Sequence, residues 1–591
     1  MKKMLMGNEA IALGAISAGV DIVTGYPGTP STEVLEAFAV NKKDWQYVEW
    51  STNEKTALEV AAGGAYTGAY TMVTMKQVGL NVASDPLMSL AYVGIKGAMV
   101  VMVADDPGPI SSQTEQDTRH FGEFSKLPVF DPSSAAEAYE MIGDAFEYSH
   151  AYQTPVIFRP TTRVCHGYGT VEISETQKRS EITGFEKSSK WVIFPRLAYA
   201  NHIKMEERNV QLQSVFSEYP KNTIEGDGVK GIATGGVSYA YVKENFESDC
   251  KLLKVATPHP FPKQKALEFM KGLSEVLVIE ELDPVIEKAL LQIKAENNLD
   301  VVIKGKLTGD NINAGENSSA SVKNAMNNFL GKKCENGESI ALPPLPIRPP
   351  VLCAGCPHRA SFYAVKLAMK NQKAVFCGDI GCYTLGNAMP LDMTDTCLCM
   401  GAGITIAQGI KRAEPDMKNF AFVGDSTFFH TGIPGVVNAL YNQTDLFLIV
   451  LDNKTTAMTG NQPHPGMGNT MMGCISEKIS IKKVLEALGV SQIKVCDPFQ
   501  LESSISAVKE LSEKSGVKVI IFESPCISVA KKGKPLEIKS NCVGCGRCVS
   551  EIGCPAIFAG KIPTIQPSLC TGCGLCQSVC KVGAIGGVSN V

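Results

Sequence analysis

Towards its end the chain carries two tight groups of cysteines. Cys542, Cys545 and Cys548 stand at i, i+3 and i+6 in CVGCGRCVSEIGCP, and after five more residues come Cys554 and Pro555. Cys570, Cys573, Cys576 and Cys580 form C-x2-C-x2-C-x3-C in CTGCGLCQSVC. Three thiolates at this spacing on a glycine-containing loop can converge on one iron–sulfur cubane, while small residues let backbone N–H groups approach its sulfides. A fourth, more distant cysteine closes the shell. The competing use of such pairs is structural zinc, but zinc rarely takes three successive cysteines at this spacing twice in tandem. The tail therefore reads as an electron conduit, and something upstream must generate low-potential electrons.

A second set of candidate ligands lies in NFAFVGDSTFFHTGIPGVVNALYNQTDLFLIVLDN, residues 419–453. Here FAFVGD is a short apolar strand ending at Gly424 and Asp425. The segment IPGVVNALYNQ has helical spacing with Pro434 in its first turn, and LFLIVLDN is a buried strand ending at Asn453. A strand–helix–parallel strand unit brings Asp425 and Asn453 out together at neighbouring carboxyl ends, where open α/β sheets bind ligands. A carboxylate, an amide oxygen and the backbone carbonyl of Thr455 suffice for Mg²⁺ on a diphosphate. The pattern resembles the thiamine-diphosphate motif, GDG followed by Asn, with Ser426 in place of the final glycine; the alternative is a Rossmann-like core whose Asp and Asn cap loops. Thiamine also needs a carboxylate against its aminopyrimidine N1′. In YVEWSTNEKTALEVAAGGAYTGAYTMVTM a strand leads to Glu54, which opens an Ala/Gly-rich helix able to approach a cofactor closely. Glu54 is the choice, Glu59 the competitor, and complementing a helix N-terminus the structural alternative.

These sites need several domains to hold them. A chain of 591 residues exceeds one core and implies about three to five domains. With 44% apolar and 20% charged residues it has ordinary globular composition. A net charge of −4 gives no bias towards nucleic acid or anionic membrane. No uninterrupted apolar run reaches the ~20 residues that span a bilayer. The start, MKKMLMGNEAIALGAISAGV, is interrupted by Asn8 and Glu9 and runs into a strand and turn rather than a cleavage site. Of twenty cysteines, eight fall between Cys542 and Cys580, which points to metal ligation in a reducing cytoplasm. LPPLPIRPP reads as a linker.

Along nearly its whole length the chain resembles the 2-oxoacid:ferredoxin oxidoreductases, through GYPGTPSTEV, STNEK, TMKQVGLNVASDP, SSQTEQDTRHFG, GCPHR, GDIGCYTLG, GDSTFFHTGI, DNKTTAMTGNQPHPG and the tail, in that order. The resemblance implies an α/β protein of parallel sheets flanked by helices: a pyrimidine-binding domain (1–185), a transketolase C-terminal-like domain (190–335) and a diphosphate-binding domain (351–530). An α+β ferredoxin domain (536–591) completes it. In bacterial two-cluster ferredoxins the fourth cysteine serves the other cluster. This assigns one [4Fe–4S] cluster to Cys542, Cys545, Cys548 and Cys580, and a second to Cys570, Cys573, Cys576 and Cys554. A third, beside the thiamine, is implied at Cys353, Cys356, Cys382 and Cys526, with Cys377 as the alternative to Cys382.

The same resemblance places Thr29 beside the substrate carboxylate and gives Arg119 as its cationic partner, a surface salt bridge being the other reading of Arg119. It implies an aryl 2-oxoacid of the indolepyruvate kind as substrate, coenzyme A as acyl acceptor and ferredoxin as electron acceptor. It also implies a smaller second subunit in a hetero-oligomer. His430 and His464, close to the diphosphate motif, are proton donors or cofactor packing. Two other classes compete: a non-oxidative thiamine decarboxylase or synthase, and an electron-transfer subunit with a degenerate thiamine site. Ser426 favours the latter; the eight tail cysteines oppose the former, and the presence of Glu54, Asp425 and Asn453 opposes the latter.

Overall fold

The structure is a computed structural model that describes residues 1–174, 182–332, 345–346 and 348–587. Part of the proline-rich linker, 342–344 and 347, and the last residues of the tail lie outside the described residues. The chain divides into two compact units, 1–341 and 342–591.

Among the described residues the first unit holds two large sheets and a two-stranded antiparallel pair, Lys2–Met6 with Tyr168–Glu172. One large sheet has the strand order Tyr47–Trp50, Ile22–Gly25, Tyr70–Lys76, Ala98–Ala104, Val156–Phe158, Val129–Phe130, all parallel. Ala98–Ala104 (AMVVMVA) is buried at every residue, as a strand covered by helices on both faces must be. From Ile22–Gly25 the chain passes through helix Thr32–Asn41 to the strand on one side. From its neighbour Tyr70–Lys76 it passes through helix Gln77–Val93 to the strand on the other. The loops leaving these two strands therefore part, which makes their carboxyl ends a topological switch point. Helix Glu54–Tyr66 begins at Asn53, whose side chain accepts the Thr56 N–H at 2.9 Å. It buries Ala57, Ala61, Ala62 and Ala65, small side chains that let it lie close to the sheet.

The second sheet of this unit runs Val302–Lys304, Glu275–Ile279, Lys230–Gly235, Lys251–Val255, Thr223–Glu225, with only the last strand antiparallel.

The second unit is built on five parallel strands in the order Ala374–Cys377, Lys418–Gly424, Leu446–Asp452, Val517–Glu523, Gln492–Cys496. The expected strand–helix–strand is present, with Pro434 in the first turn of helix Ile433–Tyr441. Two short antiparallel pairs, Leu536–Ile538 with Ile585–Gly587 and Ile557–Phe558 with Thr564–Ile565, frame the cysteine tail. The tail is not tethered loosely: Ile552, Leu575, Cys576 and Val579 belong to the same hydrophobic core as Leu352, Phe362 and Phe422. Among the described residues, no helix is long and apolar enough to cross a membrane.

Candidate functional site

In the second unit Gly424 pairs with Leu451 across parallel strands, so Asp425 and Asn453 emerge side by side. Both are buried. Asp425 Oδ1 accepts the Ser426 N–H at 2.8 Å, and Oδ2 accepts the Lys454 N–H at 2.8 Å and lies 3.1 Å from His464 Nε2. Burial works against its charge, but His464 and the Ser426 N–H outweigh it and hold its carboxyl below the usual range. Asp452, pushed by burial and by Asp425, rises to about 6.

Asn453 Oδ1 accepts the Thr455 N–H at 3.2 Å, and the buried Thr455 Oγ1 has no hydrogen-bond partner among the described residues. Asp425, Asn453 and Thr455 thus present hard oxygens in one place, a donor set that fits Mg²⁺ on a diphosphate. A Cβ at Gly424 would come within 2.7 Å of the Tyr383 ring, so glycine is what lets that ring close over the turn. Ser426 fits without strain: its Oγ accepts from Thr456 at 3.0 Å. A π-helical turn, Phe428–Gly432, follows directly, a feature often found at functional sites. Of the two histidines singled out, His464 contacts Asp425, whereas His430 Nδ1 lies 3.3 Å from Thr431 Oγ1.

The tail cysteines gather in the crossed sets. Cys542, Cys545, Cys548 and Cys580 line one cavity; Cys554, Cys570, Cys573 and Cys576 line another, whose wall also includes Cys356 and Arg359. Both cavities are otherwise mostly apolar, a setting for clusters shielded from water. Nearer the diphosphate turn, burial and then the neighbouring Cys526 and Cys353 push the Cys382 thiol up to about 11. Burial drives the Cys356 thiol up to about 12, with Cys353 adding to the effect. Cys382 thus lies within reach of the charges of Cys526 and Cys353, and Cys356 within reach of that of Cys353. Cys526 is tied to the turn that carries Asn453, its N–H donating to Asn453 O at 2.8 Å. Cys377, the alternative ligand, is instead packed in the core with Ile404, Ala421 and Val423.

Two residues of this unit escaped the sequence reading. Arg359, in GCPHR, donates from Nη1 to Ile552 O at 2.7 Å and Gly553 O at 2.9 Å, pinning the tail loop that carries Cys554. His358, beside it, is buried with neither ring nitrogen hydrogen-bonded among the described residues, and burial drives its imidazole down to about 4. Its signal was the short GCPHR motif, which gave no hint of long-range partners.

In the first unit Glu54 is buried at the start of its helix. A Cβ at Gly79 would lie 2.6 Å from Glu54 Oε1, so the glycine of KQVGLN makes room for the carboxylate. Glu59, the competitor, is half exposed and paired with Lys55 at 2.8 Å on the same helix. Thr29 stands half-buried in the turn after Ile22–Gly25, its carbonyl accepting Ser111 Oγ at 3.1 Å.

The reading of Arg119 needs correction. Its guanidinium is 2% exposed. It donates from Nε to Asp117 at 2.9 Å, from Nη1 to Glu280 at 2.7 Å, and from Nη2 to Asp117 at 2.6 Å and to the carbonyls of Glu281 and Asp283 at 2.8 and 2.9 Å. With Arg159, which contacts Asp105 at 2.7 Å and Asp131 at 3.2 Å, it forms a buried ionic network. Arg119 is therefore neither a substrate anchor nor a surface salt bridge: its donors are committed to the chain itself.

Parallel α/β units with a diphosphate turn, a buried glutamate and a cysteine tail define an oxidoreductase that works with thiamine diphosphate and [4Fe–4S] clusters. Family models agree region by region. Residues 13–213 match the thiamine-diphosphate-binding domain of pyruvate flavodoxin/ferredoxin oxidoreductase. Residues 379–522 match the C-terminal TPP-binding domain of thiamine pyrophosphate enzymes, and 563–586 a 4Fe-4S binding domain. The protein is thus of the 2-oxoacid:ferredoxin oxidoreductase class.

Within that class the chain belongs to the indolepyruvate oxidoreductase subunit IorA family. It is 38% identical to that subunit from Methanothermobacter thermautotrophicus over 99% of this chain and 97% of the other. It is also 38% identical to the subunits from Pyrococcus horikoshii (99% and 96%) and Archaeoglobus fulgidus (99% and 97%). Among solved structures, a 2-oxoglutarate:ferredoxin oxidoreductase from Magnetococcus marinus aligns with TM-score 0.46 and 18% identity over 55% of this chain and 65% of that one.

Proposed function

We propose that this chain is the thiamine- and cluster-bearing subunit of an enzyme that oxidatively decarboxylates an aryl 2-oxoacid of the indolepyruvate kind. Coenzyme A takes the acyl group, and carbon dioxide and reduced ferredoxin are the other products. The observation that carries the reading is 38% identity to IorA subunits along almost the whole chain. The domain boundaries at 1–185, 190–335, 351–530 and 536–591 belong to the same proposal.

Thiamine diphosphate, when bound, supplies the electron sink that decarboxylation requires. Asp425, Asn453 and the Thr455 carbonyl hold Mg²⁺ and with it the diphosphate. Glu54 holds a proton at the pyrimidine N1′, where a buried carboxylate beside a small-residue helix is suited to do so. The Thr29 hydroxyl donates to the substrate carboxylate. Cys353, Cys356, Cys382 and Cys526 hold a proximal [4Fe–4S] cluster, and the crossed tail sets hold two more. The shared core and the Arg359 bonds keep the cysteine sets at fixed separation. A smaller second subunit and a hetero-oligomer, with ferredoxin as acceptor, complete the proposal.

The test is turnover by the anaerobically assembled two-subunit enzyme with indolepyruvate, pyruvate and 2-oxoglutarate, following ferredoxin reduction with and without coenzyme A. Preference for indolepyruvate and dependence on coenzyme A are expected. Preference for 2-oxoglutarate, or aldehyde release without ferredoxin reduction, would contradict the proposal.

A further inference from the structure

With Arg119 committed internally, the substrate carboxylate needs another cation, and the first unit carries one at the topological switch point. Lys76 is the last residue of strand Tyr70–Lys76 and immediately precedes helix Gln77–Val93. Its stem lies across Gly28, where an added Cβ would come within 3.1 Å of Lys76 Cγ and 3.3 Å of Cδ. Glycine at position 28 thus leaves the groove along which the side chain extends towards the Thr29 turn. The ammonium reaches only a neutral acceptor, Gln113 Oε1 at 3.3 Å, and among the described residues it has no ion pair.

The nearby acids do not supply one. The charges of Glu54 and Asp106 act on Lys76, yet burial prevails and lowers its pKa. Asp106 is already satisfied by the Ser111 and Ser112 N–H groups at 2.8 and 2.9 Å and by Thr162 Oγ1 at 2.6 Å. A half-buried ammonium with one weak neutral partner is costly unless an anion completes it.

The surroundings are fixed. The loop after strand Ala98–Ala104 is tied down through Ser111 Oγ to Thr29 O at 3.1 Å and through Gln77 Nε2 to Thr114 O at 3.1 Å. The N-terminus of the long helix that follows Lys76 adds partial positive charge at the same place.

The geometry points to Lys76 as the residue that binds the carboxylate of the 2-oxoacid, together with Thr29; this rests on the proposed reaction. Lys76 forms no bond and moves no electron: it holds the carboxylate until that group leaves as carbon dioxide.

The experiment uses the assembled enzyme with Lys76→Met, Lys76→Gln and Lys76→Arg. It measures KM, kcat, iron and thiamine content, and affinity for two unreactive probes, the 2-hydroxy acid matching the substrate and its neutral amide. Removing the charge is expected to raise KM about 10- to 100-fold, with a smaller change in kcat. The acid-over-amide preference of the wild type should vanish in Lys76→Met or Lys76→Gln and be partly restored in Lys76→Arg. Lys76→Gln carries the test should Lys76→Met assemble without cofactors. Unchanged KM and unchanged acid preference in an active, cofactor-replete variant would overturn the assignment. A wild-type enzyme that turns over none of the 2-oxoacids but retains thiamine and iron would instead overturn the underlying reaction.

Discussion

Two cations of the first unit invite comparison because they hold opposite positions. Arg119 is sealed in, with Asp117, Glu280 and two backbone carbonyls around its guanidinium. Lys76 stands half-buried at the end of a central strand with a glutamine oxygen for company. Arginine's planar fork suits a buried set of fixed acceptors, whereas an ammonium on a flexible stem suits a ligand that comes and goes. Completeness of partnership, rather than the presence of charge, separates the residue that holds the fold from the one poised for substrate.

That contrast can be broken in several ways. The largest effect is expected at Glu54: Glu54→Gln should cut turnover about 10²- to 10⁴-fold, with iron and thiamine content unchanged. Turnover within a few-fold of wild type would remove Glu54 from its role. Arg119→Met should destabilise the first unit by about 3–5 kcal/mol, because it leaves buried acids without their counter-charge; denaturant unfolding measures it. Surviving folded enzyme should keep its KM within a few-fold. Raised KM at undiminished stability would exchange the roles of Arg119 and Lys76.

The second unit offers a milder form of the sealed case. Arg359→Met removes charge-assisted bonds to the Cys554 loop, and a loss of about 1.5–3 kcal/mol in tail stability is expected. Cluster loss on mild denaturation of this variant should precede loss of the parallel sheet.

The smallest effect is a pH slope. Glu281 accepts the Asn317 N–H at 2.9 Å, yet burial pushes its carboxyl up to about 7. The folded chain thus binds this proton more tightly than the unfolded chain does. Its contribution is full below the ordinary glutamate range and is lost as pH rises towards about 7. Glu281→Gln should flatten the fall in melting temperature between about pH 5 and about pH 7.5, a difference on the order of 1–3 kcal/mol. An unchanged slope would show that Glu281 is not the group responsible.

What the sequence made legible was local. Cysteine spacing makes the tail legible because residues at i, i+3 and i+6 share one loop, whereas the crossed placing of Cys554 and Cys580, each lining the other triplet's cavity, was an expectation only through the likeness to two-cluster ferredoxins. Gly424, Asp425 and Asn453 were readable because strand–helix–strand periodicity fixes where strands end. Glu54 was preferred to Glu59 because it opens the Ala/Gly-rich helix, and it is the one of the two that the fold buries. Arg119 was misread because its partners Glu280, Glu281 and Asp283 lie some 160 residues downstream and meet it only in the fold. Lys76 and Arg359 were missed for the same reason, since what matters about each is its set of neighbours.

The central claim is that a thiamine centre is wired through a proximal cluster to the cysteine tail. Iron, sulfide and thiamine per chain on anaerobically purified protein, with Cys353→Ala alongside, test it most directly. About twelve irons and one thiamine, falling by about four irons in the variant, are the predicted result. About eight irons in both proteins would contradict it, leaving the tail clusters without their link to the thiamine.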